Sequence, residues 1–145
     1  MKVDLKRVGI IGSGVMGSGI AAQLANAGVP SLVLDIVPSE LAPEEKSKGL
    51  KLTDSTVRNR ISTANVQMLL KQKPAPLFEP AGVDLIETGN MEDDFDRLKE
   101  CDWIVEAAPE KVGLKQDLYK RLETVYQPGQ IISSNTSGIS IREMM

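Results

Sequence analysis

Short apolar runs and longer stretches of helical spacing alternate along this chain. The apolar runs predict five strands, over residues 7–11, 32–35, 83–87, 103–106 and 130–133. Helical patterns predict helices over residues 15–27, 53–72, 92–99 and 112–126. On the first of these helices, Ile20 and Leu24 share the predicted apolar face. Because strands and helices take turns, we expect an α/β fold with a doubly wound, mostly parallel sheet and helices on both faces.

Residues 36–80 interrupt this alternation as an atypical helical and Pro-rich insertion. Its helix, over residues 53–72, carries an approximate apolar stripe made of Val57, Ile61, Val66, Leu69 and Leu70. Prolines in residues 73–80 predict the end of that helix and an ordered surface loop. We favour the interpretation that this insertion is a solvated helical hairpin without a chemical role.

The first predicted strand runs directly into Gly12-x-Gly14-x-x-Gly17. The first glycine permits a tight turn, the second lets the backbone approach a pyrophosphate, and the third lets the next helix lie close to the strand. The start of that helix offers N–H groups and partial positive charge to phosphates. We therefore predict a Rossmann-type dinucleotide-binding turn, with cofactor-binding residues Gly12, Ser13, Gly14, Val15, Met16 and Gly17.

Asp35 ends the second predicted strand, 18 positions after Gly17. This spacing favours the dinucleotide interpretation over a plain glycine-rich turn, and Ser18 excludes a Walker phosphate loop because that loop needs a lysine there. The Asp35 carboxylate can accept hydrogen bonds from ribose hydroxyls and would repel a 2′-phosphate, so NAD is favoured over NADP. Ile36 and Val37 supply no arginine for such a phosphate. Taken alone, Asp35 would indicate only a strand cap or the start of a turn.

Composition limits the classes of protein that fit this chain. The length of 145 residues, with 41% apolar and 26% charged positions, predicts one soluble globular domain. A net charge of −3 without a basic run argues against nucleic acid as a partner, and no apolar segment reaches the ~20 residues of a membrane span. The single cysteine, Cys101, predicts a buried structural thiol in a reducing cytoplasm. Without histidine, His-based metal sites and catalytic triads are excluded from the chain, and we expect no metal.

Polar residues gather at the ends of the last two predicted strands, in residues 106–110 and 133–137. Ligands of doubly wound sheets bind beyond the carboxyl ends of strands, so both segments should face the cofactor. Ser140 and Glu143 form a capping box for the last helix, which leaves the polar side chains of residues 134–137 for a ligand. Spacing alone would make Glu110 a carboxylate at a helix start and Lys115 a solvated lysine.

Three segments together, residues 8–19, 104–110 and 133–137, resemble the NAD-binding domain of the 3-hydroxyacyl-CoA dehydrogenases. The resemblance covers roughly residues 6–35 and 101–141 and is poor between them. It implies oxidation of L-3-hydroxyacyl-CoA to 3-ketoacyl-CoA, with hydride passing to NAD, in fatty-acid β-oxidation. By the same resemblance, Glu110 and Lys115 contact the cofactor. Ser137 would act as a catalytic residue between nicotinamide and substrate, with Asn135 beside it.

Enzymes of that family use a histidine as general base, held by a glutamate, and both follow the segment that resembles residues 133–137. This chain contains no histidine. Proton removal from an alcohol needs a base with a pKa near 7, and no side chain here obviously offers one. We therefore expect residues 1–145 to be a cofactor domain cut from a longer chain and inactive alone. The resemblance implies a further helical domain that completes the acyl-CoA cleft and mediates homo-oligomerisation.

The insertion departs from compact family members and is closer to multifunctional bacterial versions that carry an enoyl-CoA hydratase region. Because of this departure, Lys46, Lys48 and Lys51 cannot be assigned to CoA phosphates. Two alternative hypotheses fit the same glycines: a complete, non-catalytic NAD-binding or sensing module, and another β-hydroxyacid dehydrogenase.

Overall fold

The computed structural model describes residues 5–144 and contains a five-stranded sheet. Its strands are β1 Val8–Ile11, β2 Ser31–Asp35, β3 Ile86–Asn90, β4 Trp103–Glu106 and β5 Ile131–Ser134. They lie in the order β3-β2-β1-β4-β5, and all four pairings are parallel. The predicted doubly wound α/β fold is confirmed, and the sheet is parallel throughout.

Helices connect these strands and cover both faces of the sheet. Within the described residues they are α1 Val15–Asn26, α2 Pro43–Ser47, α3 Ser55–Arg58, α4 Arg60–Met68, α5 Val112–Glu123 and α6 Ile141–Met144. Short 3-10 helices span Pro80–Leu85 and Phe95–Glu100. No helix within residues 5–144 combines the length and apolar character that crossing a bilayer requires.

The core has two halves, one on each face of the sheet. Val8 and Ile10 point to the half that is covered by α1 and α4, whereas Ile11 points to the half covered by α5. Cys101 belongs to the second half and is 3% exposed. Its burial raises the pKa of the thiol to about 11, so the predicted buried structural thiol is confirmed.

The third strand lies later in the chain than the predicted residues 83–87. Those residues fall largely in the Pro80–Leu85 3-10 helix, where Val83 and Leu85 pack partly buried against the α1 half of the core. Their apolar character therefore reflects that packing and not a strand. β3 itself ends in Asn90, a residue type that is depleted in strands, which hid the strand from sequence reasoning.

The predicted helix over residues 53–72 is broken at Asn59 into α3 and α4. Asn59 has φ −94° and ψ 4°, outside the helical region, and its carbonyl oxygen accepts the Ser62 hydroxyl at 3.0 Å. The Asn59 Oδ1 atom accepts a hydrogen bond from Asn90 Nδ2 at 2.7 Å, at the end of β3. The helix is thus interrupted at Asn59, where the side chain makes a tertiary hydrogen bond.

The second half of that insertion lies on the sheet, so the expectation of a solvated hairpin is wrong there. α4 contacts β2, β3 and α1. Val66 and Leu69 are buried in the core as the predicted stripe requires, whereas Leu70 is 44% exposed. Ser62 is also buried and donates its hydroxyl to the Gly89 carbonyl oxygen at 2.8 Å. This part of the insertion is therefore a structural layer over the β2 and β3 side of the sheet, whereas α2 has no buried residue.

Small residues make the closest contact of α1 with the sheet. Ile20 and Leu24, on the predicted apolar face, are partly buried and pack against the same half of the core. The buried residues of this helix are Gly17, Ser18, Ala21, Ala22 and Ala25. This narrow face lets the helix axis approach the strands closely.

Gly17 and Gly19 provide a matched test of that approach. A Cβ atom on Gly17 would lie 1.8 Å from the Gly12 carbonyl oxygen, whereas one on Gly19 would meet nothing within 4 Å. We expect Gly17→Ala to lower the free energy of unfolding by about 1–3 kcal/mol, because backbone must move. Gly19→Ala should raise it by up to about 1 kcal/mol through helix propensity. Urea denaturation followed by circular dichroism measures both, and equal effects would contradict a tight helix–turn contact.

Candidate functional site

The strand order reverses beside β1, which has β2 on one side and β4 on the other. Ligand clefts of open parallel sheets lie at such a switch point, beyond the carboxyl ends of the strands. A cleft of about 440 Å³ lies there. Its lining residues are Gly12, Gly14, Val15, Met16, Asp35, Asn65, Ala107, Ala108, Pro109, Glu110, Asn135 and Thr136.

The three glycines of the turn differ in their steric surroundings. Gly12 has φ +99°, and a Cβ atom there would lie 2.6 Å from the Ala107 carbonyl oxygen. Gly17 allows α1 to touch the turn, as described above. A Cβ atom on Gly14 would meet nothing within 4 Å, because this residue faces the open cleft. The turn is therefore tight on its protein side and open to a ligand on the other.

The first turn of α1 points its backbone amides toward the same cleft. The first intrahelical hydrogen bond runs from the Ser18 N–H to the Gly14 carbonyl oxygen, at 2.9 Å. The preceding amides have no partner within the helix, and the helix dipole gives this end partial positive charge. Val15 and Met16 are 84% and 55% exposed, so water or a ligand can reach these amides. This arrangement suits an anion such as a pyrophosphate.

Asp35 ends β2 and holds its carboxylate at the mouth of the cleft. Its Oδ2 atom accepts hydrogen bonds from the Ser13 N–H at 2.7 Å and the Ser13 hydroxyl at 2.5 Å. Its Oδ1 atom accepts the Ile36 N–H at 2.7 Å. Three donors thus fix the orientation of the carboxylate, which still lines the cleft. Capping the turn after β2 and facing a ligand are compatible roles for this side chain.

Ser13 lies behind the surface of the cleft, since it is fully buried. Its hydroxyl oxygen accepts a hydrogen bond from Asn65 Nδ2 at 2.8 Å. Asn65 lies on α4, within the insertion, and it lines the cleft. Sequence reasoning missed this residue because the insertion was expected to have no chemical role. The available signal was a polar residue on the buried face of α4, three positions after Ser62 and four before Leu69.

A fully buried ion pair lies at the end of β4. The Lys115 ammonium donates to Glu106 Oε1 at 2.6 Å and to the Ala108 carbonyl oxygen at 3.2 Å, and neither charged side chain is exposed. Glu106 Oε1 also accepts the Ala108 N–H at 2.7 Å. The expectation of a solvated Lys115 is therefore wrong. Spacing could not reveal this pairing, because the two residues come from different elements.

Glu106 also joins the two strand ends that face the cleft. Its Oε2 atom accepts the Ser134 hydroxyl at 2.6 Å, and the Thr136 N–H donates to that serine oxygen at 3.1 Å. Ser134 was expected to be available to a ligand, yet its hydroxyl is engaged here. Tyr119 lies against the same cluster, and burial raises the pKa of its phenol. One carboxylate thus orders the segments after β4 and β5.

Glu110, Asn135 and Ser137 meet where these two segments approach each other. Glu110 and Asn135 line the cleft, and the Ser137 N–H donates to Glu110 Oε1 at 3.1 Å. Ser137 itself is exposed beside them. The predicted capping box is confirmed, since Ser140 Oγ accepts the Glu143 N–H at 3.3 Å and Glu143 Oε2 accepts the Ser140 N–H at 3.2 Å.

The structure brings most of the predicted site residues together. Those that line the cleft are Gly12, Gly14, Val15, Met16, Asp35, Glu110 and Asn135. Those buried behind it are Ser13, Gly17 and Lys115. The cleft wall formed by Ala107, Ala108 and Pro109 lies in the segment 106–110 that was expected to face the cofactor, although these apolar side chains carried no chemical signal of their own.

The Thr136 hydroxyl also bears on the cleft. It is buried, and within residues 5–144 its oxygen has no hydrogen-bond partner, although Thr136 lines the cleft. A buried hydroxyl without a partner is costly, so such a group points to water or a ligand as its partner.

A second depression of about 490 Å³ continues the cleft past Asp35. Ile36 and Leu114 contribute apolar surface to it and are 65% and 43% exposed. Arg121 also lines it, with its guanidinium 3.9 Å from the centre of the Phe95 ring. A flat apolar group with polar edges would fit between these walls.

The buried ion pair generates a stability prediction. Lys115→Met should lower the free energy of unfolding at pH 7 by about 3–5 kcal/mol, because the Glu106 carboxylate is left buried without its partner. Adding Glu106→Gln to Lys115→Met should restore much of that loss. Lys120→Met, on the exposed face of the same helix, is the control and should change stability by less than about 0.5 kcal/mol. Urea denaturation compares the variants, and a small effect of Lys115→Met would contradict the buried pairing.

Comparisons with known proteins agree with this geometry. The sequence model of the family described as "3-hydroxyacyl-CoA dehydrogenase, NAD binding domain" matches residues 7–145. The chain is 49% identical over 144 residues to a probable 3-hydroxyacyl-CoA dehydrogenase of Bacillus subtilis, covering 99% of this chain and 18% of that protein. It is 36% identical over 144 residues to a putative fatty acid oxidation complex trifunctional enzyme of Rickettsia felis, with coverage of 99% and 18%.

Among solved structures, (S)-3-hydroxybutyryl-CoA dehydrogenase PaaH1 from Ralstonia eutropha superposes with a TM-score of 0.64 at 26% identity, covering 97% of this chain and 44% of that one. The chain thus spans less than half the length of each of these three proteins. Since the family match covers nearly the whole sequence, this chain belongs to the family of NAD-binding domains of 3-hydroxyacyl-CoA dehydrogenases.

Proposed function

We propose that this chain is the NAD-binding part of an L-3-hydroxyacyl-CoA dehydrogenase that oxidises 3-hydroxyacyl-CoA to 3-ketoacyl-CoA in fatty-acid β-oxidation. The family match supports the dehydrogenase, and the name of the Rickettsia relative supports the pathway. The observation that carries the proposal is the carboxylate of Asp35, held at the cleft mouth beside a glycine turn that is open toward the ligand. When bound, NAD supplies the acceptor for the substrate hydride.

The cleft residues fit NAD in charge and shape. The Gly14 backbone and the first amides of α1 would bind the pyrophosphate, and the Asp35 carboxylate would accept the adenosine ribose hydroxyls. The depression beside Ile36 and Leu114 would receive the adenine. The Thr136 hydroxyl would find its missing partner in the bound cofactor. A 2′-phosphate would meet the negative charge of Asp35, so NAD is preferred to NADP.

The remaining predicted site residues divide into two groups in this proposal. Glu110 and Asn135 would contact the cofactor from the segments after β4 and β5, and Ser137 would lie between nicotinamide and substrate as a catalytic hydrogen-bonding residue. Ser13 and Lys115 are fully buried, so they would support the cofactor through Asp35 and Glu106.

We propose that the general base comes from the part of the relatives that this chain does not span. The chain contains no histidine, and it covers less than half the length of the relatives described above. In this proposal, acyl-CoA binding and homo-oligomerisation also belong to that part of the relatives. The protein is proposed to be cytoplasmic. Ser137 and Glu110 in this chain would orient substrate and cofactor for the base.

Asp35→Ala tests the cofactor assignment. We expect it to weaken NADH binding by about 1–3 kcal/mol, the scale of a lost hydrogen bond to a charged group, and to reduce the preference for NADH over NADPH. Isothermal titration calorimetry with both cofactors measures the change. Asp84→Ala removes an exposed carboxylate that precedes β3, away from the cleft, and serves as the charge-matched control. Unchanged NADH affinity in Asp35→Ala would show that Asp35 does not meet the ribose.

A turnover assay tests the location of the base. We expect the 145-residue chain to bind NADH but to oxidise it negligibly with acetoacetyl-CoA, measured by absorbance at 340 nm. Turnover in the ordinary enzyme range of about 1–10³ s⁻¹ would contradict a base outside this chain. Absence of NADH binding by the folded chain would contradict the proposal as a whole. The length of the native polypeptide distinguishes the two hypotheses. A natural stop soon after Met145 would favour a complete NAD-sensing module, and a longer polypeptide would favour the dehydrogenase.

A further inference from the structure

A hydrogen-bond chain runs from the insertion to the mouth of the cleft. Asn65 Nδ2 lies 2.8 Å from Ser13 Oγ, which lies 2.5 Å from Asp35 Oδ2. Ser13 is fully buried, and Asn65 is half-buried and lines the cleft. Hydrogen bonds thus link three side chains in series, one from α4, one from the turn after β1 and one from β2. The last of them, Asp35, lines the cleft.

The chemistry of the three groups determines which one donates and which one accepts in each of these hydrogen bonds. A carboxylate can only accept hydrogen bonds, so the Ser13 hydroxyl must donate its one hydrogen to Asp35. The same oxygen must then accept from its other neighbour, which requires the amide NH₂ group of Asn65. Asn65 therefore donates to the hydroxyl oxygen while that hydroxyl donates to Asp35, and a hydroxyl that accepts a hydrogen bond is a stronger donor to the carboxylate.

The packing of α4 fixes the position of Asn65. Three residues earlier, Ser62 is buried and donates to the Gly89 carbonyl oxygen of β3 at 2.8 Å. Four residues later, Leu69 is buried in the core. Both neighbours lie on the same face of the helix as Asn65. The amide is therefore presented to Ser13 by a helix that is attached to the sheet.

We propose that Asn65 is a positioning residue for NAD, which orients the Asp35 carboxylate toward the adenosine ribose by way of the Ser13 hydroxyl. This inference rests on the role proposed above for Asp35. It gives the insertion a share in cofactor binding, since without the Asn65 donor the Ser13 hydroxyl donates more weakly to Asp35 and one of the restraints on that carboxylate is weakened. The cofactor would then have to order the carboxylate on binding.

Asn65→Leu removes the donor at nearly constant side-chain size. We expect the Kd of NADH, measured by calorimetry on the 145-residue chain, to rise about three- to tenfold, the range for one neutral hydrogen bond. Thr63→Val is the matched control on the same helix, because it removes a hydroxyl that lies 3.0 Å from the Thr88 hydroxyl and outside the cleft lining. Its NADH affinity should match that of the unmodified chain. If Asn65→Leu unfolds, Asn65→Ala removes the same donor with less bulk.

A thermodynamic cycle separates positioning from a general structural effect. In the Asp35→Ala background, Asn65→Leu should cause no further loss of NADH affinity, because the carboxylate on which it acts is absent. A loss of the same size in both backgrounds would overturn the proposal and indicate a direct contact or a general disturbance. Equal NADH affinities of Asn65→Leu and the unmodified chain would also overturn it. If Asp35→Ala still binds NADH more weakly in that case, the proposed function stands. If Asp35→Ala itself has no effect, the role of Asp35 fails first and this inference fails with it.

Discussion

The close contact between the first helix and the turn that precedes it is the constraint on which the site depends. Gly17 lies so near the Gly12 carbonyl oxygen that no side chain fits between them. The same turn passes close to the Ala107 carbonyl oxygen after β4, which only a glycine with positive φ allows. Helix, turn and neighbouring strand end are thus held in one arrangement by backbone contacts. The partial positive charge of the helix is thereby placed at the switch point of the sheet.

Electrostatic contacts organise the opposite wall of the cleft. The buried carboxylate of Glu106 accepts hydrogen bonds from the Lys115 ammonium in α5, the Ala108 amide after β4 and the Ser134 hydroxyl at the end of β5. A buried charge is tolerable only with such compensation, so the geometry of these segments follows from satisfying it. Steric limits therefore determine the wall formed by the glycine turn and the first helix. The opposite wall is determined by the hydrogen bonds that the buried Glu106 carboxylate requires.

The sequence predicted those features whose causes are local. The glycine turn, an aspartate at the end of the second strand and the capping box each depend on residue types at fixed spacings, and the structure has all three. Asn65 and Lys115 could not be placed, because their partners Ser13 and Glu106 come from other elements of the fold. The third strand was predicted too early in the chain, because the apolar residues before β3 pack against the core from a 3-10 helix and not from a strand.

The three donors around Asp35 have a consequence for the evolution of cofactor choice. The Ser13 amide, the Ser13 hydroxyl and the Ile36 amide all converge on one negatively charged group. These donors stabilise a negative charge at this position, and here the protein supplies that charge with its own side chain. A shorter, neutral side chain would leave the three donors without the carboxylate and would remove the charge that repels a 2′-phosphate in the proposed function. In the proposed function, the preference of this end of the cleft for NADH over NADPH therefore depends on one side chain, and the backbone need not change for that preference to fall.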